Sequence, residues 1–310
     1  MRAALLTSPK GFQHRLPADH VERVERLETV MAALGASEFN ALPREEARLA
    51  TREEVERVHA GDYVGAVFEA HPDAGEMIPI DWDTWLSDGS LGAALQAAGA
   101  AAEGVDRVMA GEHEAVFAPT RPPGHHAEPA RGMGFCIFNS IGVAAKHALD
   151  GHGLDRVAVI DIDVHHGNGT QCLAEADERL FFASIHQSPL YPGTGGANET
   201  GLNGNVLNTP MPAGTAGQAW RDRISAEILP ALEAFSPQLV LVSAGFDGHA
   251  EDPLGGFGLL EEDFAWAAGA LAAQAKKSAD SRLVSLLEGG YDCGALGRST
   301  QAFLRALTDA

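Results

Sequence analysis

The residues best suited to metal chemistry are Asp163, His165 and Asp247. Asp163 and His165 form an Asp-x-His pair, and their side chains point the same way if this segment is extended. Two carboxylates and one imidazole supply three ligands and leave a position for water, as expected of a catalytic divalent ion. Zinc suits this ligand set best, and iron(II) or cobalt also fits it. The alternative is a structural role, in which the pair caps the following turn.

Two adjacent histidines, His125 and His126, lie in a turn rich in Pro and Gly. An imidazole beside a metal-bound water can accept a proton near neutral pH. We expect Asp161 to orient His125 and favour its imidazolium. Asn168, behind His126, is an amide and would stabilise an imidazolium charge on His126 less strongly. The hypothesis is that His126 is the neutral base and His125 an electrostatic aid. The alternative is a pair of solvated loop histidines.

Two aromatic residues are further candidates. Tyr291 ends a Gly-Gly-Tyr turn, where its hydroxyl can donate a hydrogen bond to a carbonyl oxygen that becomes an oxyanion. Phe135, between Gly134 and Cys136, can line an apolar channel. For both aromatics, ordinary packing is the alternative.

Composition restricts the class of protein. The 310 residues include 43 acidic and 22 basic side chains, and the net charge of −21 argues against nucleic acid and anionic membranes as partners. The three cysteines are far apart, which disfavours a disulfide scaffold and favours a reducing compartment. No signal-peptide core and no apolar stretch of membrane-spanning length is present, so we expect a cytoplasmic protein. The G-x-S-x-G elbow and the Walker A loop are absent, which disfavours a serine α/β-hydrolase and a P-loop enzyme.

The elements that must position these residues are short apolar runs, typical of strands buried on both faces of a parallel sheet. Five runs lie at 115–118, 157–160, 180–183, 239–242 and 283–287. Helices are predicted over 19–34, from 51 onward, and over 90–105, 142–149, 220–235 and 261–277. The first 80 residues are predicted to be helical and charged. No linker or repeat marks a boundary, so residues 1–310 are predicted to form a single α/β domain with helices on both faces of the sheet.

Each predicted strand is followed by a polar cluster, and the third strand is followed by His186. Binding sites of open parallel sheets form at the carboxyl ends of their strands. Polar clusters at five strand ends therefore predict one shared site.

Six motifs, in this order, resemble those of the zinc-dependent histone deacetylase family. They are Arg121-Pro-Pro-Gly-His-His-Ala127, Gly134-Phe-Cys136, Asp161-Ile-Asp-Val-His-His-Gly-Asn-Gly-Thr-Gln171, Tyr191-Pro-Gly-Thr-Gly195, Ser243-Ala-Gly-Phe-Asp247 and Leu287-Glu-Gly-Gly-Tyr291. The similarity is closer to the class II branch and to bacterial histone deacetylase-like amidohydrolases, and it spans nearly the whole chain.

This resemblance implies an arginase–deacetylase fold with one eight-stranded parallel sheet, and a zinc-dependent enzyme that removes acyl groups from lysine. It implies zinc ligands at Asp163, His165 and Asp247, a histidine pair at His125 and His126, and Tyr291 as the oxyanion donor. Gly134 and Phe135 would flank the acyl-lysine tunnel. Potassium is implied near Asp161, Asp163, His165, Ser184 and Ile185, and a second potassium site near Ala174, Asp177 and Leu180.

Three positions bear on the substrate. Asn168 occupies the position where class I enzymes have Asp, and Asn there is typical of class II enzymes. Tyr291 is retained, which favours genuine deacetylase activity. Leu254 occupies the position where polyamine-selective relatives have an acidic gatekeeper. An apolar side chain there disfavours acetylpolyamines and favours acyl-lysine peptides or other amides, although deacetylation of polyamines or small amides is the alternative.

Two other functions remain open. An arginase-like ureohydrolase would need more aspartates for two manganese ions, but Gly167 and His249 stand at the relevant positions. A catalytically silent acyl-lysine binding module is the other, although every catalytic position is filled.

Overall fold

A sheet of eight parallel strands forms the centre of the computed structural model, which describes all 310 residues. Its strands are β1 (Ala3–Thr7), β2 (Arg44–Glu46), β5 (Ala115–Ala118), β6 (Val157–Asp161), β7 (Leu180–Gln187), β8 (Val206–Met211), β9 (Leu239–Ala244) and β10 (Leu283–Leu287). Their order across the sheet is β2-β1-β5-β10-β9-β6-β7-β8. A separate antiparallel pair consists of β3 (Ile78–Pro79) and β4 (Trp85–Leu86).

Ten α-helices surround the sheet. They are α1 (Val24–Leu34), α2 (Arg52–Glu56), α3 (Gly61–Glu69), α4 (Ser90–Met109), α5 (Ser140–Lys146), α6 (Asn168–Ala176), α7 (Gly217–Arg223), α8 (Leu229–Phe235), α9 (Glu261–Ser278) and α10 (Cys293–Asp309). One π-helical turn, His147–Gly151, follows α5, and another, Ile224–Ile228, joins α7 to α8. None of the helices combines the length and apolar character needed to cross a membrane.

The two faces of the sheet are covered by different helices. On strand β6, Val157 and Val159 join a buried cluster that includes residues of α4 and α5. Ala158 and Ile160 join a second cluster that includes residues of α1, α9 and α10. Because successive side chains of a strand point to opposite faces, both faces need apolar residues, which explains the continuous apolar runs. The predicted α/β fold with helices on both faces is confirmed.

The N-terminal prediction was partly wrong. Residues Ala3–Thr7 form an inner strand and Arg44–Glu46 form the edge strand beside it, within a region predicted to be helical. All three residues of the edge strand are exposed and polar, so it lacks the hydrophobic signal of a buried strand. The helix predicted over 19–34 begins at Val24 and ends before Gly35, as expected. The capping box predicted at Thr51 is present.

Two further differences concern the other half of the sheet. Strand β8 was not predicted; it mixes buried and half-buried positions and contains Pro210, which is acceptable on an edge strand. Strand β7 extends to Gln187, so His186 lies within the strand and does not follow it. The apolar run that predicted this strand covers only its first half.

Candidate metal centre and active site

The predicted site residues meet at the carboxyl edge of five adjacent strands, β5, β10, β9, β6 and β7. His125 follows β5, Tyr291 follows β10 and Asp247 follows β9. Asp161 is the last residue of β6, and Ser184 lies beside it on β7. The parallel topology therefore gathers residues that are far apart in the chain, as the strand-end argument predicts.

Three metal-ligating side chains converge at the centre of this edge. The Nδ1 atom of His165 lies 3.0 Å from Asp163 Oδ1 and 3.0 Å from Asp247 Oδ2. Both carboxylates are completely buried. The Asp163–His165 segment is a bend, so the expected alternation of an extended strand does not explain why the two side chains meet. The bend is instead held by the Val164 N–H, which donates to Asp247 Oδ1 at 2.9 Å.

The donor set fits a single divalent cation. In the chain alone, one imidazole N–H is shared by two buried carboxylates, and a cation in its place would contact all three groups. Burial and the charge of Asp163 raise the pKa of Asp247 to about 7, so a neighbouring positive charge is needed for both carboxylates to ionise fully at neutral pH. A side chain at Gly289 would collide with both carboxylates, so glycine keeps this space free. Two carboxylates and one imidazole suit zinc.

The two histidines of the turn after β5 have different partners. His125 Nδ1 lies 2.9 Å from Asp161 Oδ2, and His126 Nδ1 lies 2.8 Å from Asn168 Oδ1. Burial opposes a charge on His125, but Asp161 and Asp163 raise its pKa to about 10. Burial and the neighbouring charges of His125 and His165 hold the pKa of His126 well below its usual value. These directions are those that the hypothesis of a neutral His126 and a charged His125 requires.

Tyr291 is held by its backbone and its ring, and its hydroxyl makes no hydrogen bond with another residue. Its N–H donates to Asp252 Oδ2 at 2.6 Å, and the Arg26 guanidinium carbon lies 4.7 Å from the ring centroid. Arg26 also donates to the carbonyl oxygens of Glu288 and Gly290, each at 2.5 Å. Burial raises the pKa of the Tyr291 phenol well above its ordinary value, which keeps the hydroxyl a donor.

Sequence reasoning missed Arg26, Asp252 and Glu288 as supports of this turn. Glu288 Oε2 accepts hydrogen bonds from the N–H groups of Gly124 and His125, at 2.6 and 3.2 Å. Nothing in the spacing of Arg26 separates it from the other charged residues of its helix. Glu288 had a detectable signal, because it is an acidic residue directly after a buried, mostly apolar strand.

A cavity of about 250 Å³ opens above the metal ligands. Its floor includes His126, His165 and Tyr291, and its walls are formed by Phe135, Leu190, Tyr191 and Leu254. Trp82, with 72% of its surface exposed, is at the rim and was not predicted. The predicted substrate-binding residues Gly134, Phe135 and Leu254 all line this cavity.

Gly134 is the one position of the pocket where glycine is required. Its φ of +58° is in the left-handed region, and a side chain there would collide with the His126 ring. Phe135 follows with a φ of +68°, which turns its ring to lie edge-on to Tyr291 at 5.8 Å. This turn therefore places an aromatic wall directly beside the proposed oxyanion donor.

The residues predicted to bind potassium are adjacent but have protein partners. Asp161 pairs in register with Ser184, and both are fully buried. The Ser184 hydroxyl lies 2.9 Å from His186 Nδ1. Ile185 follows on the same strand. Binding of potassium by Asp161, Ser184 and Ile185 stays a prediction.

A side chain lies beside the second predicted potassium site. Asn205 Nδ2 donates to the carbonyl oxygens of Ala174, Asp177 and Leu180, at 2.6, 3.3 and 2.8 Å. These three residues are the ones that the resemblance places near the ion. The amide therefore competes with potassium for their carbonyl oxygens, and binding of potassium here stays a prediction.

Known proteins are similar in sequence to nearly the whole chain. The model of the histone deacetylase domain matches residues 20–307. A probable deacetylase of Archaeoglobus fulgidus is 38% identical over 303 residues, which cover 96% of this chain and 83% of that protein. A histone deacetylase-like amidohydrolase of Pseudomonas aeruginosa is 38% identical over 293 residues, covering 92% and 77%.

Among solved structures, the crystal structure of the HDA15 HD domain superposes with a TM-score of 0.91 and 31% sequence identity. The superposition covers 99% of this chain and 89% of that chain. Both the family match and the superposition support the arginase–deacetylase fold that the motifs imply. The chain belongs to the histone deacetylase family of hydrolases.

Proposed function

We propose that this protein is a zinc-dependent hydrolase that removes acetyl or other acyl groups from lysine side chains. Family membership supports amide hydrolysis, and similar proteins are named deacetylase and amidohydrolase. One observation carries the finer proposal. Three buried metal ligands lie beneath a narrow cavity whose floor also contains a proton acceptor, His126, and a hydrogen-bond donor, Tyr291.

Zinc would be held by Asp163, His165 and Asp247. When bound, it would polarise the acyl carbonyl and lower the pKa of a coordinated water. The protein adds three functions: it accepts a proton, stabilises negative charge and positions the acyl chain.

His126 is the proposed proton acceptor, and its hydrogen bonds define which nitrogen is free. Asn168 Nδ2 donates to Glu128 Oε1 at 2.7 Å, so the amide oxygen of Asn168 faces His126 Nδ1. An amide oxygen only accepts, so the ring proton of His126 is on Nδ1 and Nε2 carries the lone pair. Nε2 therefore takes the proton of the attacking water and afterwards delivers one to the leaving amine.

His125 and Tyr291 are the proposed stabilisers of negative charge. With its raised pKa, His125 stays an imidazolium at neutral pH and lies beside His126, with a ring-centroid distance of 4.0 Å. The Tyr291 hydroxyl donates a hydrogen bond to the acyl oxygen as charge develops there. Neither role requires these groups to change their protonation state during the reaction.

The pocket supports a substrate with one unbranched aliphatic arm. Its walls are aromatic and aliphatic, which suits the methylene chain of lysine and leaves the acyl group at the floor. Leu254 provides no carboxylate for a second ammonium group of a polyamine. The net charge of −21 attracts cationic segments such as lysine-rich peptides.

The experiment is a comparison of two substrates on the zinc-loaded protein. We expect the kcat/KM for an Nε-acetyl-lysine peptide to exceed that for N-acetylputrescine, and we expect chelation to abolish both activities. Faster hydrolysis of N-acetylputrescine would overturn the substrate proposal while retaining amide hydrolysis. Binding of the peptide without turnover by the zinc-loaded protein would overturn the enzymatic proposal itself.

A further inference from the structure

A second cluster of metal-ligating side chains lies at the opposite edge of the sheet. Asp106 is in the last turn of α4, which leads to the start of β5, and His147 and His152 precede the start of β6. Asp106 Oδ1 lies 2.7 Å from His147 Nε2 and 2.8 Å from His152 Nε2. The candidate ligand atoms of this trio all lie within 4.8 Å of one another.

The local backbone is shaped to bring the two histidines together. They are five positions apart in the chain, and in an α-helix of 3.6 residues per turn such side chains point in different directions. Here the chain forms a π-helical turn over His147–Gly151, and the His152 N–H donates to the His147 carbonyl oxygen at 3.1 Å. Such wider turns are rare in proteins, and those that occur are often found at functional sites. The turn is what directs both Nε2 atoms to one carboxylate oxygen.

Asp106 occupies a position that local propensity disfavours. A carboxylate in the last turn of a helix faces the negative end of the helix dipole. The carboxylate is held in this position by hydrogen bonds from His147 Nε2 and His152 Nε2.

The surroundings suit a cation although they contain arginines. Arg48 lies 3.8 Å from Asp106 Oδ2, but it also pairs with Glu54 at 2.6 Å. Glu54 Oε1 lies 3.6 Å from His147 Nδ1, where a carboxylate can orient a ligating imidazole. Arg57, 3.4 Å from the same nitrogen, is exposed and free to move aside. Carboxylates outnumber guanidinium groups here: Glu45, Glu54, Glu103, Asp106 and Glu112 face Arg48, Arg57 and Arg107.

We infer that Asp106, His147 and His152 form a second binding site, for a divalent transition-metal ion such as zinc or nickel. Two imidazoles select such ions over magnesium and calcium, which prefer oxygen ligands. All three side chains are partly exposed, so an ion can reach them from solvent. The ion would displace the Nε2 protons that now face Asp106, and it would join the end of α4 to the segment that follows α5.

The test measures metal content of the full chain without a histidine tag. Protein loaded with one zinc ion per chain is dialysed against micromolar free zinc, and bound zinc is determined by elemental analysis. We expect the wild type to bind one additional ion. We expect His152→Ala to raise the dissociation constant of that ion by at least about 10–100-fold, since loss of even an outer-shell partner has this effect. The matched control is His71→Ala, because His71 is an exposed histidine outside the cluster.

A spectroscopic readout separates this site from the catalytic centre. Copper(II) added to zinc-loaded protein should show electron paramagnetic resonance couplings to two nitrogens in the wild type and to one in His152→Ala. Hydrolysis of acetyl-lysine peptide by His152→Ala should equal that of the wild type. The inference is overturned if the wild type binds no additional ion, or if His152→Ala and Asp106→Asn, shown to be folded by circular dichroism, bind it as tightly as the wild type.

Discussion

The sharpest test of the proposed chemistry is Tyr291→Phe, because the structure separates its effect on activity from its effect on stability. The Tyr291 hydroxyl makes no hydrogen bond with another residue, whereas its backbone N–H is bound to Asp252 and its ring is covered by Arg26. Phenylalanine retains the backbone contact and the ring. The substitution therefore removes only the group that would face the acyl oxygen.

The expected magnitudes follow from this geometry. Loss of one oxyanion donor lowers kcat by about 10²–10³, equivalent to about 2.7–4 kcal/mol of transition-state stabilisation. The free energy of unfolding should change by no more than about 0.5 kcal/mol, because no intramolecular hydrogen bond is lost. Activity should thus fall by at least a hundredfold in a protein whose Tm is unchanged.

Tyr63→Phe is the matched control, with the opposite pattern. The Tyr63 hydroxyl donates to the Ile137 carbonyl oxygen at 2.7 Å and does not line the catalytic cavity. Its removal leaves a buried carbonyl unpaired, at a cost of about 1–3 kcal/mol, while kcat should be retained. For a chain of this length the Tm should fall by about 2–4 °C.

The assay for both variants is steady-state hydrolysis of an Nε-acetyl-lysine peptide by zinc-loaded protein, together with thermal unfolding. A fall in kcat of less than tenfold in Tyr291→Phe would refute its role as the oxyanion donor. A large fall in activity that is accompanied by a large fall in Tm would show that Tyr291 acts through the fold and not through the substrate.

Three further predictions concern other parts of the site. Leu254→Glu should raise the kcat/KM for N-acetylputrescine relative to the peptide by roughly 5-fold, since a partly exposed ion pair contributes about 1 kcal/mol; an unchanged ratio contradicts the gatekeeper argument. Asp247→Asn should lose the catalytic zinc and all hydrolysis, measured by elemental analysis, and retained zinc would exclude Asp247 as a ligand. Asn205→Ala should unfold more easily by about 1–3 kcal/mol because three carbonyls lose their donor. Potassium should raise the Tm of this variant by more than it raises the Tm of the wild type, and equal responses would contradict the view that the Asn205 amide occupies the ion position.

Much of the fold and site could be predicted because both depend on strands buried on two faces. Such strands are mostly apolar along their whole length, so β5 and β10 were predicted with their observed bounds. In a parallel sheet, polar residues after such strands lie at one edge. His125, Asp247 and Tyr291 were placed together by that reasoning alone.

Other features depend on contacts that no local pattern encodes. Arg26 supports Tyr291 only because α1 packs near the turn after β10, which is a tertiary arrangement. The Asn205 side chain reaches three carbonyl oxygens from the loop between β7 and β8, and an asparagine after glycine predicts only a turn. The Asp106 cluster was hidden because His147 and His152 have a spacing that suits neither an α-helix nor a strand.

The two catalytic histidines show how position in the fold determines chemistry. His125 and His126 are adjacent and have the same side chain, yet their pKa values move in opposite directions. Asp161, which ends β6, and Asp163 raise the pKa of His125, whereas burial and the charges of His125 and His165 lower that of His126, which has only the amide of Asn168, at the start of α6, as its partner. The loop returns over the edge of the sheet, so the carboxylate stands behind one ring and the amide behind the other. A neutral base and a fixed positive charge are thereby placed side by side, and replacing the amide by a carboxylate would reduce that asymmetry by raising the pKa of His126.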